Sequence, residues 1–249
     1  MLFGLLQGLG FSDRRLWLAA VAMLAAQFSI SALNEWADAD LDARAARLRP
    51  IPLGLISRQF ALVGASVLGG LALALSFTPG HGRVGTVLFT IGLGCGWLYD
   101  LVLKRMIFSF LPFAIAFPLL AVWVGVVAGR PLSALLPFFL VGAPLGIAIH
   151  LADSLPDLGS DAASNSHGLA VRLGPRRALL AIQGSLLLGS LPVVKSFLHQ
   201  PPIAVLLAAV ALTGASLAER TAGVHAGRTR WVATATALAL AVPWLGART

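Results

Sequence analysis

Long apolar runs separated by short polar segments make up most of this chain. Eight of them, at about 16–37, 59–77, 84–100, 107–128, 132–152, 178–197, 201–219 and 229–246, are long enough to cross a bilayer. The pattern predicts eight transmembrane helices. Pro112, Pro118, Pro137, Pro144 and Pro192 fall inside runs, where kinks can open a cavity if neighbours satisfy the freed carbonyls. Gly125-x-x-x-Gly129, Gly142-x-x-x-Gly146 and the Gly92, Gly94, Gly96 series read as faces for close helix packing. Trp17, Trp36, Trp97, Trp231 and Trp244 stand near run ends, as interfacial anchors do.

Composition agrees with the pattern. Apolar residues make up 58% of the chain and charged residues only 11%, against about a quarter in a soluble domain. The expected class is an all-α membrane protein, a single transmembrane domain over 1–249 with no linker. The net charge of +8 does not signal nucleic acid, because the cations lie in loops between spans. One set of loops holds twelve Lys and Arg, among them Arg44, Arg47, Arg49, Arg58, Lys104, Arg105 and Arg172; the other set holds six. The positive-inside rule then puts the first set in the cytoplasm. Cys95, alone and inside a span, reads as a packing residue. Met1 to Asp13 lacks the basic region and cleavage site of a signal peptide.

Against this apolar background, eight of the ten acidic residues fall in three stretches at the ends of spans. The first runs Asn34-Glu35-Trp36-Ala37-Asp38-Ala39-Asp40-Leu41-Asp42, the second is Tyr99-Asp100, and the third runs from Asp153 through Asp157 to Asp161. Asn34, Asp38 and Asp42, and again Asp153, Asp157 and Asp161, recur every fourth position, which stacks them on one helical face. Carboxylates near lipid are costly and call for a function. Oxygen-only ladders suit magnesium, a hard cation commonly shared with substrate phosphates. Two such helix ends could bind a diphosphate through two magnesium ions, with Arg49, Lys104, Arg105 and Arg172 as cations for the remaining oxygens. Loss of pyrophosphate from an allylic carbon leaves a carbocation, which a dry helical chamber would protect from water.

The motifs then become specific. Asn34-x-x-x-Asp38-x-x-x-Asp42 followed by Arg49-Pro50-Ile51-Pro52-Leu53-Gly54-Leu55-Ile56-Ser57 resembles the first signature of the UbiA superfamily of intramembrane prenyltransferases, NDxxDxxxD followed by RPIPSGxIS. Asp153-x-x-x-Asp157-x-x-x-Asp161, leading into Ala170-Val171-Arg172-Leu173-Gly174, resembles the second. Tyr99-Asp100-Leu101-Val102-Leu103-Lys104-Arg105 resembles the loop motif between them. The resemblance implies a barrel of nine transmembrane helices that binds an isoprenyl diphosphate through magnesium and transfers the prenyl group to an acceptor. It gives the metal to Asn34, Asp38, Asp42, Asp153, Asp157 and Asp161. Catalysis would rest on Asp38, Asp42, Asp157 and Lys104, and substrate binding on Asn34, Arg49, Tyr99, Lys104, Arg105 and Arg172. The expected partners are a prenyl diphosphate, an aromatic or lipid acceptor, and membrane lipid. The expected location is a bacterial or archaeal cell membrane, with the site facing the cytoplasm.

This chain departs from the family pattern in places. Glu35 replaces the usual Asp, Leu53 the usual Ser, and Asn165-Ser166-His167-Gly168 stands where a basic stretch is common. Only about ten apolar residues precede the first ladder-bearing span, so the family's first helix looks to be missing. Met1–Gly10, too short to span, is expected to lie along the interface or dip into the bundle as a partial lid. A terpene cyclase on the same scaffold, which needs no acceptor, is an alternative. A divalent-cation transporter is a less fitting one, since no carboxylate lies at mid-span on the far half. A CDP-alcohol phosphatidyltransferase would carry a DGxxAR string, and none occurs. Asp100 could join the metal site or pair with Lys104. His150 fits packing better than base catalysis. Asp40 points about 160° from Asp42 and is expected to be solvated.

Overall fold

The computed structural model describes residues 8–44, 47–78, 82–163, 167–222 and 226–246, and among these it contains helices and turns but no strand. The α-helices are α1 (Arg14–Arg44), α2 (Arg58–Ser76), α3 (Gly82–Leu101), α4 (Leu111–Val127), α5 (Phe138–Ser154), α6 (Leu158–Ala163), α7 (Leu169–Ser196), α8 (Pro201–Ala222) and α9 (Ala226–Gly246). A single turn at Leu132–Leu135 precedes α5. Seven helical segments among the described residues are long and apolar enough to cross a membrane. The last expected span, 229–246, forms α9 but is not one of the seven; Arg228, Thr229, Arg230, Thr234 and Thr236 dilute its apolar character. Most of the Met1–Gly10 stretch, with Asn165 and Ser166, lies outside the described residues.

The chain clusters into two compact units, one of Met1–Lys104 with Trp123–Leu132 and the other of Arg105–Val122 with Ser133–Thr249. In the first unit, Asp13 opens α1. Its carboxylate accepts from the Arg15 backbone N–H at 2.8 Å and from the Arg15 guanidinium at 2.7 Å. That side-chain hydrogen bond holds the Asp13 pKa below the usual carboxylate value. The 31 residues of α1 extend about 46 Å, well beyond a hydrocarbon core of about 30 Å, so the helix has length left over for its acidic end. Ser29, fully buried on α1, ties three helices together. Its hydroxyl donates to the Ala65 carbonyl of α2 at 2.7 Å and accepts from the Trp97 indole N–H of α3 at 3.1 Å. Gly69 makes room for that indole, because a Cβ there would collide with the Trp97 ring.

The Arg49–Ser57 stretch is the turn that reverses the chain between α1 and α2. Gly54 sits at φ 71, a conformation only glycine adopts without strain. Leu55 N–H reaches back to the Pro50 carbonyl at 2.9 Å. Ser57 caps α2 by accepting from Phe60 N–H at 3.0 Å. Much of this sequence signature is therefore turn and cap chemistry. Leu53, the departure from the family pattern, is exposed.

In the second unit the Gly142-x-x-x-Gly146 face packs as expected. A Cβ on Gly142 would come to 2.8 Å of the Pro118 Cα, and one on Gly146 would meet the Phe113 carbonyl of α4. In the first unit, Gly129 of the Gly125-x-x-x-Gly129 pair does not take part in such a face. Gly129, at φ 90 with open space around it, ends α4 while Arg130 N–H bonds the Gly125 carbonyl at 2.9 Å. The expected sixth span starts earlier than 178, because α7 runs from Leu169 through a break at Gly174 (φ 70, ψ 169) just before Pro175. At the far end of α7, the Trp244 indole of α9 donates to the Ser196 hydroxyl at 3.0 Å.

Gly146→Val should lower stability by about 1–3 kcal/mol, since the obstruction is backbone and cannot rotate away. Gly94→Ala, with nothing within 4 Å of its Cβ position, should be close to neutral. Thermal unfolding of the two variants in the same detergent checks the contrast.

Candidate functional site

The first acidic stretch lies in the last three turns of α1, and its face geometry is the one the spacing predicts. Asp38 and Asp42 are buried, at 7% and 3% exposure, and Asn34 is half-buried, whereas the Asp40 side chain is 72% exposed. Each acid is met by a nearby cation. Lys104, from the turn that follows α3, donates to Asp38. Arg47 lies 3.2 Å from Asp42, and Arg49 lies 3.1 Å from Glu35. Arg58, at the start of α2, bonds Asp40 at 3.0 Å and stacks over the Trp36 ring at 5.2 Å. Arg47 and Arg58, read from the sequence as topology signals, are thus also ion-pair partners. Glu35, one carbon longer than the Asp of the family pattern, is the residue that reaches Arg49.

Asp100, left open by the sequence, packs onto this ladder from α3. Its Oδ1 accepts from the Asn34 amide at 2.9 Å, and the residue is 7% exposed. Its Oδ2 is buried with no hydrogen-bond partner, as is Oε2 of Glu35. Unsatisfied buried carboxylate oxygens are expensive, and they are the donors that a hard cation selects. The residues at this end of α1 therefore fit magnesium by donor type. No group of three His, Cys, Asp or Glu able to hold a metal alone is assembled among the described residues. Substrate oxygens would have to complete the coordination, as they commonly do for magnesium.

The second acidic stretch differs from its sequence expectation. Asp153, Asp157 and Asp161 do not share one regular helix. Asp153 is in α5, Asp157 ends a 3-10 turn over Leu155–Asp157, and Asp161 is in α6. Pro156 is the cause, since it has no N–H to continue the α ladder. Asp153 and Asp157 are exposed and Asp161 is half-buried; Arg230 of α9 stands 3.6 Å from Asp153. Arg105 and Arg172 are exposed and Tyr99 is half-buried.

Sequence reading missed a buried knot beside this stretch. The Ser109 hydroxyl lies 3.0 Å from Nε2 of His150 and accepts from Leu169 N–H at 3.2 Å. The Phe113 ring covers the imidazole at 4.7 Å, and His167 N–H bonds the Arg105 carbonyl at 3.0 Å. His150 is 2% exposed, in keeping with a packing role. A serine and a histidine 41 positions apart give no local signal of this contact.

The chain resembles known proteins in sequence and in fold. In sequence, the chain is 30% identical over 132 residues to protoheme IX farnesyltransferase of Hyphomonas neptunium, a match covering 50% of this chain and 42% of the relative. In structure it resembles a UbiA homolog from Aeropyrum pernix K1, with TM-score 0.71 at 16% identity, covering 95% of this chain and 93% of that one. A UbiA homolog from Archaeoglobus fulgidus bound to DMAPP and Mg2+ gives TM-score 0.68 at 16% identity with the same coverage. A structure described as digeranylgeranylglyceryl phosphate synthase gives 0.70 at 14% identity, covering 99% of this chain and 89% of that one. At such identities these likenesses establish the shared all-helical fold. The model of the UbiA prenyltransferase family matches residues 1–239, and the chain belongs to that family.

Proposed function

We propose that the protein transfers an isoprenyl group from a polyprenyl diphosphate to an aromatic or lipid acceptor within the membrane, in a magnesium-dependent reaction. The observation that carries this reading is the acidic end of α1, with Asp38 and Asp42 buried and Lys104 held on Asp38. A prenyl diphosphate as donor is supported by the farnesyltransferase relative and by the DMAPP-bound homolog. That both units form one domain over 1–249, with the site on the cytoplasmic side, belongs to the same proposal.

In this reading Asn34, Asp38 and Asp42 would hold one magnesium ion, and Asp153, Asp157 and Asp161 would hold another. The chemistry supplied by the bound ions is neutralisation of charge gathering on the departing diphosphate. Lys104, Arg49, Arg105, Arg172 and Tyr99 are the proposed binding residues for its oxygens. Lys104 and Arg49 are engaged with Asp38 and Glu35 in the unliganded chain, so substrate binding exchanges one set of partners for another. The C1–O bond breaks with its electron pair leaving on pyrophosphate. The acceptor then bonds to C1 and releases a proton. Apolar helices around the tail keep water from the cation.

Pyrophosphate release from farnesyl and geranylgeranyl diphosphate, measured with purified protein in magnesium or in EDTA, tests the proposal. Release should require magnesium and an acceptor from host lipid extract; a cyclic terpene formed without acceptor would identify a cyclase instead. Asp38→Ala and Asp157→Ala should each lower release about 100-fold, and Asp40→Ala about twofold or less. Equal losses at all three positions would mean that diffuse charge, and not the ladder, matters. Magnesium should raise the unfolding temperature strongly only when a non-hydrolysable prenyl thiodiphosphate is also present, since neither ladder alone completes a coordination shell.

A further inference from the structure

We propose that Asp100 is a further member of the cation site on α1, orienting the Asn34 amide through one oxygen and presenting the other to the metal. The inference rests on the magnesium-dependent reading above and adds a residue to it. A carboxylate without a proton only accepts hydrogen bonds, so its contact with Asn34 at 2.9 Å must use the amide NH2. The Asn34 carbonyl oxygen is thereby turned away from Asp100, and the amide cannot flip without setting two acceptors against each other. An asparagine fixed in this way offers a cation its oxygen and not its nitrogen.

The second oxygen gives independent support. Oδ2 of Asp100 is buried and unpartnered in a residue that is more than nine-tenths buried. Charges from both Asp38 and Lys104 act on this carboxylate, so it belongs to the same cluster as the ladder. Asn34, Asp38, Asp100 and Lys104 together carry two formal negative charges and one positive. A divalent cation bound beside them offsets the excess negative charge and gives Oδ2 its missing partner. A proton on Asp100 would also satisfy Oδ2, but the group would then act only as a neutral hydrogen-bonding side chain. An amide reproduces that role closely, and this separates the two cases.

The experiment uses full-length protein in detergent, with manganese standing in for magnesium and farnesyl thiodiphosphate as the diphosphate. Bound manganese is read from the loss of its free EPR signal. Asp100→Asn and Asp100→Ser should each weaken manganese binding about tenfold or more. Asp40→Asn, changed at an exposed position off the ladder face, should bind as wild type does. With farnesyl diphosphate, the magnesium concentration giving half-maximal pyrophosphate release should rise in both Asp100 variants, and saturating magnesium should restore much of the rate. If Asp100→Asn or Asp100→Ser binds manganese as tightly as wild type, the proposal is overturned and Asp100 is a packing residue. The same follows if excess magnesium restores nothing while unfolding temperatures fall. If wild type itself binds no manganese, the metal–diphosphate reading falls and this inference with it.

Discussion

Charge balance at the acidic end of one long helix constrains much of the local structure. Four carboxylates and an asparagine are packed into the last three turns of α1, in a chain with few charged residues to spare. Desolvated carboxylates need partners, and the surrounding backbone is arranged to provide them. The turn after α1 returns Arg47 and Arg49, the start of α2 brings Arg58, and the end of α3 brings Lys104. Loop conformation and charge pairing are here one requirement. Gly54 and Ser57 allow the reversal that makes those pairings possible.

The rest of the molecule solves a different problem, bringing apolar helices together where lipid gives no net hydrophobic drive between them. Small residues do this work at Gly69, Gly142 and Gly146, where backbone or ring occupies the space a side chain would need. Single hydroxyls, the buried Ser29 and the half-buried Ser196, then fix helix identity by meeting one particular indole each. Large side chains such as Phe28, Val67, Leu140 and Val205 stay exposed on the outer faces, as contact with lipid tails would favour.

What could be read in the sequence followed from how local each signal is. Helix existence and the α1 ladder depend on periodicity within one segment, so Asn34, Asp38 and Asp42 came out on the face expected, with Asp40 off it. The second acidic stretch has the same spacing, yet one proline between its first two aspartates overrides it, because a missing N–H breaks the helical ladder whatever the spacing. Gly129 was read as half of a packing pair, when open space and a positive φ make it a helix terminator. Contacts between distant positions, Asn34 with Asp100 or Ser109 with His150, were beyond any local pattern. The last expected span showed the weakness of judging length alone, since α9 is a full-length helix whose threonines and arginines dilute it.

The proline break between Asp153 and Asp157 also bears on motion. A continuous α-helix shares its opening free energy along its length, whereas a 3-10 turn flanked by two helix ends isolates a short piece with few backbone bonds of its own. Leu155–Asp157 and α6 can therefore open as a small unit without loosening α5. Such a segment would exchange its amide hydrogens long before α1 does.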